Sequence, residues 1–238
     1  MFAPHYTYLW VDFFCIIFPF LLSFHTRLPF IKEWSNFILP CGTVALFFLV
    51  WDSLFTHINV WDFSSEYTCG ITLVNMPLEE CLFFIFIPYA TVFSYHCYTK
   101  YFSINKYKTQ FNYFTIALIF FLLVIGFANL HRLYTSVTFI LLAILLIYLL
   151  YKKVNYLPNF YLVFTFILIP FFLSNGVLTG GFFNRMIVHY NPAHNLGIRM
   201  YTIPFEDMFY GMLLLLMNVS GFEYMKHKNE IKNECTTN

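Results

Sequence analysis

Two pairs of adjacent carboxylates interrupt apolar stretches of this 238-residue sequence: Glu79–Glu80 and Glu206–Asp207. A carboxylate inside a membrane segment is costly, so it usually faces a bundle interior or a cavity and marks a functional site. Adjacent residues on a helix point about 100° apart. One acid of each pair can therefore face a cavity while its neighbour holds it or a partner helix, and all four side chains are candidate catalytic groups.

Paired acids in an apolar pocket suit proton transfer to a hydrocarbon. A helix N-terminus favours an ionised carboxylate by up to about 2 kcal/mol, whereas burial and a neighbouring carboxylate favour the neutral acid. We expect burial to dominate, so that one acid donates a proton while its partner accepts one. The 33 Phe, 18 Tyr and 4 Trp residues offer ring faces that stabilise cations, although most of them must face lipid or pack helices. These residues favour acid-catalysed carbocation chemistry.

Two further acids, Asp12 and Asp52, also lie inside apolar segments. Asp12 is close enough to a segment end to sit at the headgroup level instead. Asp52 follows Trp51 near the end of its segment, where it could cap a helix or bond a backbone break. By their positions along the spans defined below, all six acids fall in the outer half of the membrane.

The two acid pairs lie in matching sequence. Gly-Ile begins at residues 70 and 197, and Pro77 and Pro204 follow at the same offset, each two residues before an acid pair. Upstream, Asp52–Thr56 resembles Asn175–Thr179. The simplest division is a first three-helix repeat over 1–99, a basic loop and linker helix over 100–133, a second three-helix repeat over 134–225 and a cytoplasmic tail over 226–238. Because a single linker helix separates the two repeats, both repeats cross the membrane in the same direction. In such parallel repeats the site lies at the interface between them.

The composition requires the elements that position these acids to be membrane helices. Hydrophobic residues make up 60% of the chain and charged residues 11%, against about 25% charged in soluble domains. Disorder is excluded by the same numbers, and a net charge of +1 gives no field for nucleic acid. The six cysteines are scattered, so neither a zinc site nor a disulfide framework is indicated. No metal site is expected.

Seven stretches are long and apolar enough to cross a bilayer, which predicts an all-α polytopic membrane protein: 7–24, 37–56, 71–99, 112–129, 134–151, 158–175 and 200–225. Ten of the thirteen Lys and Arg residues fall on one side of these spans. The other side holds three: Arg132, Arg185 and Arg199. We therefore expect the protein to lie in the cell membrane. The positive-inside rule places its N-terminus outside the cell and its C-terminus in the cytoplasm.

The acid motifs resemble those of the lycopene cyclase domain family, in its heterodimeric or fused form, with both halves joined in one chain. The resemblance rests on Pro77–Phe83 and Ile203–Gly211, supported by Tyr6–Trp10, Trp51–Asp52, Val60–Trp61 and Asn218–Ser220. It implies cyclisation of the linear ends of lycopene into β-ionone rings, through γ-carotene to β-carotene, without net redox change. The four acids carry over as catalytic groups, without assignment of donor and base. No cofactor is expected, because the GxGxxG motif of flavin-dependent cyclases is missing.

The resemblance and the span positions together nominate supporting or pocket-lining residues: Asp12, Trp51, Asp52, Pro77, Phe83, Asn175, Pro204 and Tyr210. The expected partners are a lipophilic polyene (lycopene) and the bilayer, with no nucleic acid; a homo-oligomer or contact with other carotenoid enzymes is left open. Also left open are the true substrate, the ring type, cyclisation of one end or both, and one site or two.

A proton-coupled membrane transporter of a small or lipophilic solute is the main alternative, because parallel repeats and intramembrane acids also suit a carrier. A carrier should show a polar substrate lining. An iron-dependent hydroxylase or desaturase would need clustered histidines, and His189 and His194 are a poor ligand set. A prenyltransferase would need an Asp-rich diphosphate motif, which the sequence lacks. A scaffold or partner subunit is the remaining alternative.

Overall fold

The computed structural model describes residues 4–102, 104–181 and 186–237. Seven α-helices account for most of it: α1 Thr7–Leu22, α2 Trp34–His57, α3 Leu78–Tyr101, α4 Lys108–Ala128, α5 Leu133–Tyr151, α6 Leu157–Leu178 and α7 Phe205–Thr237. Six short strands lie between helices: β1 Trp61–Phe63, β2 Thr72–Leu73, β3 Met76–Pro77, β4 Val188–Tyr190, β5 Arg199–Met200 and β6 Ile203–Pro204.

The prediction of an all-α membrane protein is confirmed. Within the described residues, five segments are long and apolar enough to cross a membrane, namely Phe30–His57, which includes α2, and the helices α3 to α6. Helix α1 is equally apolar but has only 16 residues, and α7 continues for 33 residues into a polar end. The orientation in the membrane stays a prediction, and Arg185, on which it partly depends, lies outside the described residues.

The third and seventh predicted spans begin several residues before the corresponding helices of the structure. Residues 71–77 and 198–204 form hairpins instead of helix, so α3 begins at Leu78 and α7 at Phe205. Pro77 sets this boundary, because it precedes α3 in an extended conformation with φ −66° and ψ 151°, and its ring removes a backbone donor. Glu79 is therefore the second residue of its helix and lies in the first turn.

Helix α7 is longer than predicted at its other end. The expected tail over 226–238 continues the helix as far as Thr237. This segment contains no Pro or Gly, and Lys and Glu residues within it are good helix formers.

The helices pack as two interlocked groups. Helix α1 packs on α3, α5 packs on α7, and α2 lies between α3 and α7, while α4 packs on the outside of α5.

Strands β1 and β4 pair antiparallel, with Asp62 opposite His189. Residues 62 and 189 are separated by 127 positions, which is also the separation of the two acid pairs. This register is the one expected if the two halves are related by an approximate two-fold axis through the strand pair. The division into two three-helix repeats stays a prediction.

Candidate active site

The two acid motifs fold into the same local structure. In each, a glycine with positive φ, Gly70 at 80° and Gly197 at 74°, turns the chain into a two-residue hairpin. The hairpin then returns to the helix, where the N–H of Leu78 donates to the carbonyl of Ile71 at 2.9 Å. The equivalent bond at Phe205 is 3.0 Å long. Both acid pairs consequently occupy the first turn of a helix at the same end of the bundle.

The first acid of each pair ties the hairpin to the helix. The Oε1 atom of Glu79 accepts the backbone N–H of Cys69 at 2.6 Å. The Oε1 atom of Glu206 accepts the backbone N–H of Leu196 at 2.6 Å and the hydroxyl of Thr135, on α5, also at 2.6 Å. Both side chains are fully buried, and neither lines the central cavity described below.

The second acid of each pair faces a neighbouring tyrosine. Glu80 accepts a hydrogen bond from the hydroxyl of Tyr8 on α1. Asp207 accepts two, from Tyr134 on α5 at 2.6 Å and from Tyr190 on β4 at 2.9 Å. The Tyr8 and Tyr134 bonds match because the helices pack in the same way. Tyr8 lies in the first turn of α1, which packs on α3, and Tyr134 lies in the first turn of α5, which packs on α7.

A third carboxyl group completes the cluster. The Oδ1 atom of Asp52 on α2 accepts the hydroxyl of Tyr210 on α7 at 3.2 Å. Asp52 and Asp207 border the same cavity as Glu80. Three carboxyl groups from α2, α3 and α7 thus share one location.

A cavity of about 540 Å³ joins these three carboxyl groups, within the range of about 300–1,000 Å³ of small-molecule sites. Its polar end also carries the four tyrosines named above and Asn175. Its remaining wall is mainly apolar and comes from α1, α3, α6 and α7, including Phe83 and Phe171.

The cavity opens sideways between α1 and α6. Phe14 and Phe18 on α1 and Leu173 on α6 line it, and yet they are 56%, 67% and 58% exposed. Side chains that border a cavity and also face outward define its mouth. In a membrane this mouth faces the lipid chains, from which a lipophilic molecule can enter.

A family model described as lycopene cyclase matches residues 5–98 and 131–225. The chain belongs to the lycopene cyclase family. The matched segments contain both hairpins, the four paired acids and the tyrosines that bond them, whereas helix α4 lies in the unmatched stretch between them.

A curated relative carries the same family name within a larger protein. The chain is 32% identical over 77 residues to a bifunctional lycopene cyclase/phytoene synthase of Arthroderma gypseum. The aligned segment covers 32% of this chain and 12% of that protein's length. No solved structure matches the chain.

The other nominated residues of this lycopene cyclase family member divide into those that line the cavity and those behind it. Phe83, Asn175 and Tyr210 line it with Asp52. Trp51 packs on the Tyr210 ring, with ring centroids 5.2 Å apart. Pro77 and Pro204 are the last hairpin residues before the acids.

Asp12 lies behind the cavity wall. It is fully buried on α1, and neither of its oxygens has a hydrogen-bond partner in the described part of the chain. The depth of Asp12 relative to the lipid headgroups stays a prediction.

Of the four tyrosines that line the cavity, only Tyr210 was nominated from sequence. Tyr8, Tyr134 and Tyr190 lie in three different segments, and nothing in the composition distinguishes them among 18 tyrosines. One signal was available, because Tyr8-x-x-Val11-Asp12 and Tyr134-x-x-Val137-Thr138 match at nearly the spacing of the acid motifs. Extending the repeat to the first helix of each half would have found two of the three.

No group of three or more His, Cys, Asp or Glu side chains arranged to hold a metal ion occurs among the described residues.

Proposed function

We propose that this protein cyclises the linear ends of lycopene into β-ionone rings, giving γ-carotene and then β-carotene, by acid–base catalysis within the membrane. The observation that carries the proposal is the cavity in which Asp52, Glu80 and Asp207 meet at one end of an apolar, aromatic-walled space open to lipid. Membership of the lycopene cyclase family supports the same substrate class. A carrier of polar solutes would need a polar lining, which the wall from α1, α3 and α6 does not supply.

The reaction needs one proton delivered and one removed. A protonated carboxyl adds its proton to the terminal double bond of lycopene, which leaves a tertiary cation. The next suitably placed double bond attacks this cation and closes a six-membered ring, moving the positive charge to a ring carbon. A carboxylate then removes a proton beside that carbon, and a ring double bond forms. The product is an isomer of the substrate, so no oxidant or reductant is consumed.

The cavity supplies both protonation states. Three carboxyl groups in a low-dielectric space cannot all carry charge at low cost, so the set retains at least one proton. Asp207 accepts two tyrosine hydroxyls, and donors to a carboxylate stabilise its charged form. Asp52 and Glu80 accept one each and lie close together. We assign proton donation to the Asp52–Glu80 pair and proton removal to Asp207.

Aromatic rings lie where the cation would form. Trp61 packs edge-on to Tyr134 with ring centroids 5.1 Å apart, and the Tyr134 and Tyr190 rings stack at 5.9 Å. All three rings line the cavity beside Asp207. A cation over such faces gains about 2 kcal/mol or more when water is excluded. The same rings exclude water, which would otherwise trap the cation as an alcohol.

Glu79 and Glu206 have a different part in this proposal. They hold the hairpins through backbone N–H groups and do not reach the cavity, so they are positioning residues for the acids that follow them. This narrows the set of reacting groups from the four paired acids to Glu80 and Asp207, together with Asp52.

The test is expression of the chain in cells that accumulate lycopene, followed by chromatography of the pigments. We expect conversion of lycopene to γ- and β-carotene, and loss of conversion in the Asp207→Asn variant at equal membrane abundance. Unchanged lycopene, with the wild-type protein verified in the membrane, would overturn the proposal. Other ring types among the products would overturn the β assignment alone.

A further inference from the structure

A second cavity of about 430 Å³ lies at the opposite end of the bundle from the acids. Its wall includes Tyr95 and Lys100 on α3, which follow Glu80 by 15 and 20 residues. At about 1.5 Å per residue, these positions are roughly 22 and 30 Å from the acid cluster. The second cavity therefore lies far from the acid cluster, and it shares no lining residue with the first cavity.

Three lysines from three elements converge on this second cavity. Lys32 lies just before α2, Lys100 lies at the end of α3, and Lys226 lies in the C-terminal half of α7. They bring three ammonium groups to one concave surface at the end of the helices that the lysine distribution assigns to the cytoplasmic side. Its polar wall also holds the half-buried His96 and the amide of Asn159.

The two carboxylates of this cavity are held by other donors. Glu223 accepts the hydroxyl of the buried Tyr95 at 2.8 Å. Glu33 accepts the side-chain N–H of Asn36 at 2.8 Å, and Asn36 in turn accepts that of Asn229 at 2.6 Å. Among the described residues, neither glutamate forms a salt bridge with the three lysines. The Nζ atom of Lys100 donates to the backbone carbonyl of Arg27 at 2.8 Å, and since an ammonium group has three N–H donors, all three lysines keep donors for an external anion.

We propose that this second cavity binds a phosphate group, either that of an anionic lipid headgroup or that of a soluble phosphate compound. Basic pockets between membrane helices on the cytoplasmic side suit the headgroups of anionic lipids. The proposal goes beyond the cyclisation chemistry, because none of the acids of the first cavity takes part in it.

The test uses the purified full chain in detergent and native mass spectrometry. One arm adds an equimolar mixture of phosphatidylglycerol and phosphatidylcholine, and the other adds inorganic phosphate or diphosphate. The variant Lys32→Ala/Lys100→Ala/Lys226→Ala removes the three lining charges. The control Lys106→Ala/Lys152→Ala/Lys228→Ala removes three lysines that do not line the cavity and changes the net charge equally.

We expect wild type and control to retain the anionic lipid in preference to the zwitterionic one, and the lining variant to bind it roughly 100-fold more weakly, at about 1 kcal/mol per lysine. Binding of phosphate or diphosphate at the same three lysines, with displacement of the lipid, would support the site and assign a soluble ligand. Equal retention of both lipids without phosphate binding, or an equal loss in the control, would overturn the proposal.

If the alanine variant is not recovered folded, a variant with glutamine at the same three positions is compared with wild type instead. Cyclisation of lycopene is measured separately in cells for each variant. Failure of anion binding would leave the cyclase proposal intact, and failure of cyclisation would leave the anion site intact.

Discussion

Replacing Glu79 and Glu80 with glutamine, one at a time, should distinguish a residue that transfers protons from one that only holds the structure of the site. Glu80→Gln removes a carboxyl group from the cavity and retains its shape, so a proton donor is lost while the packing stays. General acid–base catalysis contributes about 10²–10⁴-fold to a rate. We therefore expect conversion of lycopene to fall by at least 100-fold at unchanged protein abundance.

The effect of Glu79→Gln should appear in stability. The Glu79 carboxylate accepts the Cys69 N–H at 2.6 Å, and a hydrogen bond to a charged group contributes about 1.5–3 kcal/mol. A glutamine carbonyl still accepts this N–H, but a neutral bond is about half as strong, so the free energy of unfolding should fall by about 1 kcal/mol. Glu79→Ala should lower it by about 1.5–3 kcal/mol, because the donor is left unpaired.

The assay combines pigment chromatography, normalised to the amount of membrane protein, with thermal unfolding of the purified chain in detergent. The second motif supplies an internal repetition of the experiment, since Asp207→Asn should abolish conversion while Glu206→Gln should mainly lower stability. Glu206 has two donors where Glu79 has one, so its alanine variant should be the less stable. Loss of conversion in Glu79→Gln at wild-type stability, or full conversion in Glu80→Gln, would refute the division of roles.

Three further outcomes can be checked. Gly211→Ala should keep activity, because its Cβ would lie at an ordinary contact distance of 3.4 Å from the Phe171 ring, whereas Gly211→Leu should fill the cavity and reduce conversion at least tenfold at equal abundance. Gly221→Ala should destabilise the chain by about 1–3 kcal/mol on thermal unfolding, because its Cβ would lie 2.6 Å from that of Pro40 and overpack the α2–α7 contact. A C-terminal tag should be labelled only from the cytoplasmic side of the membrane; labelling from outside would reverse the predicted orientation.

The helices and the acids were predictable from sequence for one physical reason. A carboxylate within an apolar span is costly, so the two pairs were expected to lie inside the protein, whereas other positions were open for Asp12 and Asp52; all six are buried. The hairpins were not predicted, because Ile71–Met76 and Ile198–Ile203 are apolar enough to extend a span. There the turn conformation of Gly70 and Gly197 and the fixed φ of the prolines outweigh hydropathy.

The separation of each acid pair into one cavity member and one positioning member depends on three-dimensional packing. Sequence predicts only that adjacent side chains diverge by about 100°, and does not indicate which of them turns inward. The hairpin decides this, since the backbone N–H groups of Cys69 and Leu196 lie beside the first acid of each pair.

The cavity departs from two-fold symmetry at the positions that carry charge, and this departure bears on how a symmetric substrate is processed. Asp52 corresponds to Asn175 in the upstream match, at a spacing of 123 residues, and Phe63 of β1 corresponds to Tyr190 of β4 at the 127-residue spacing of the acid pairs. Glu80 consequently has one tyrosine donor and a carboxyl neighbour, whereas Asp207 has two tyrosine donors. A symmetric pair of sites would give each acid the same partners. In the mechanism proposed above, these unequal partners would supply a proton donor and a proton acceptor to the one cavity that Asp52, Glu80 and Asp207 share. We therefore propose that the two ends of lycopene are cyclised in succession at this site, with γ-carotene leaving the cavity before its second end enters.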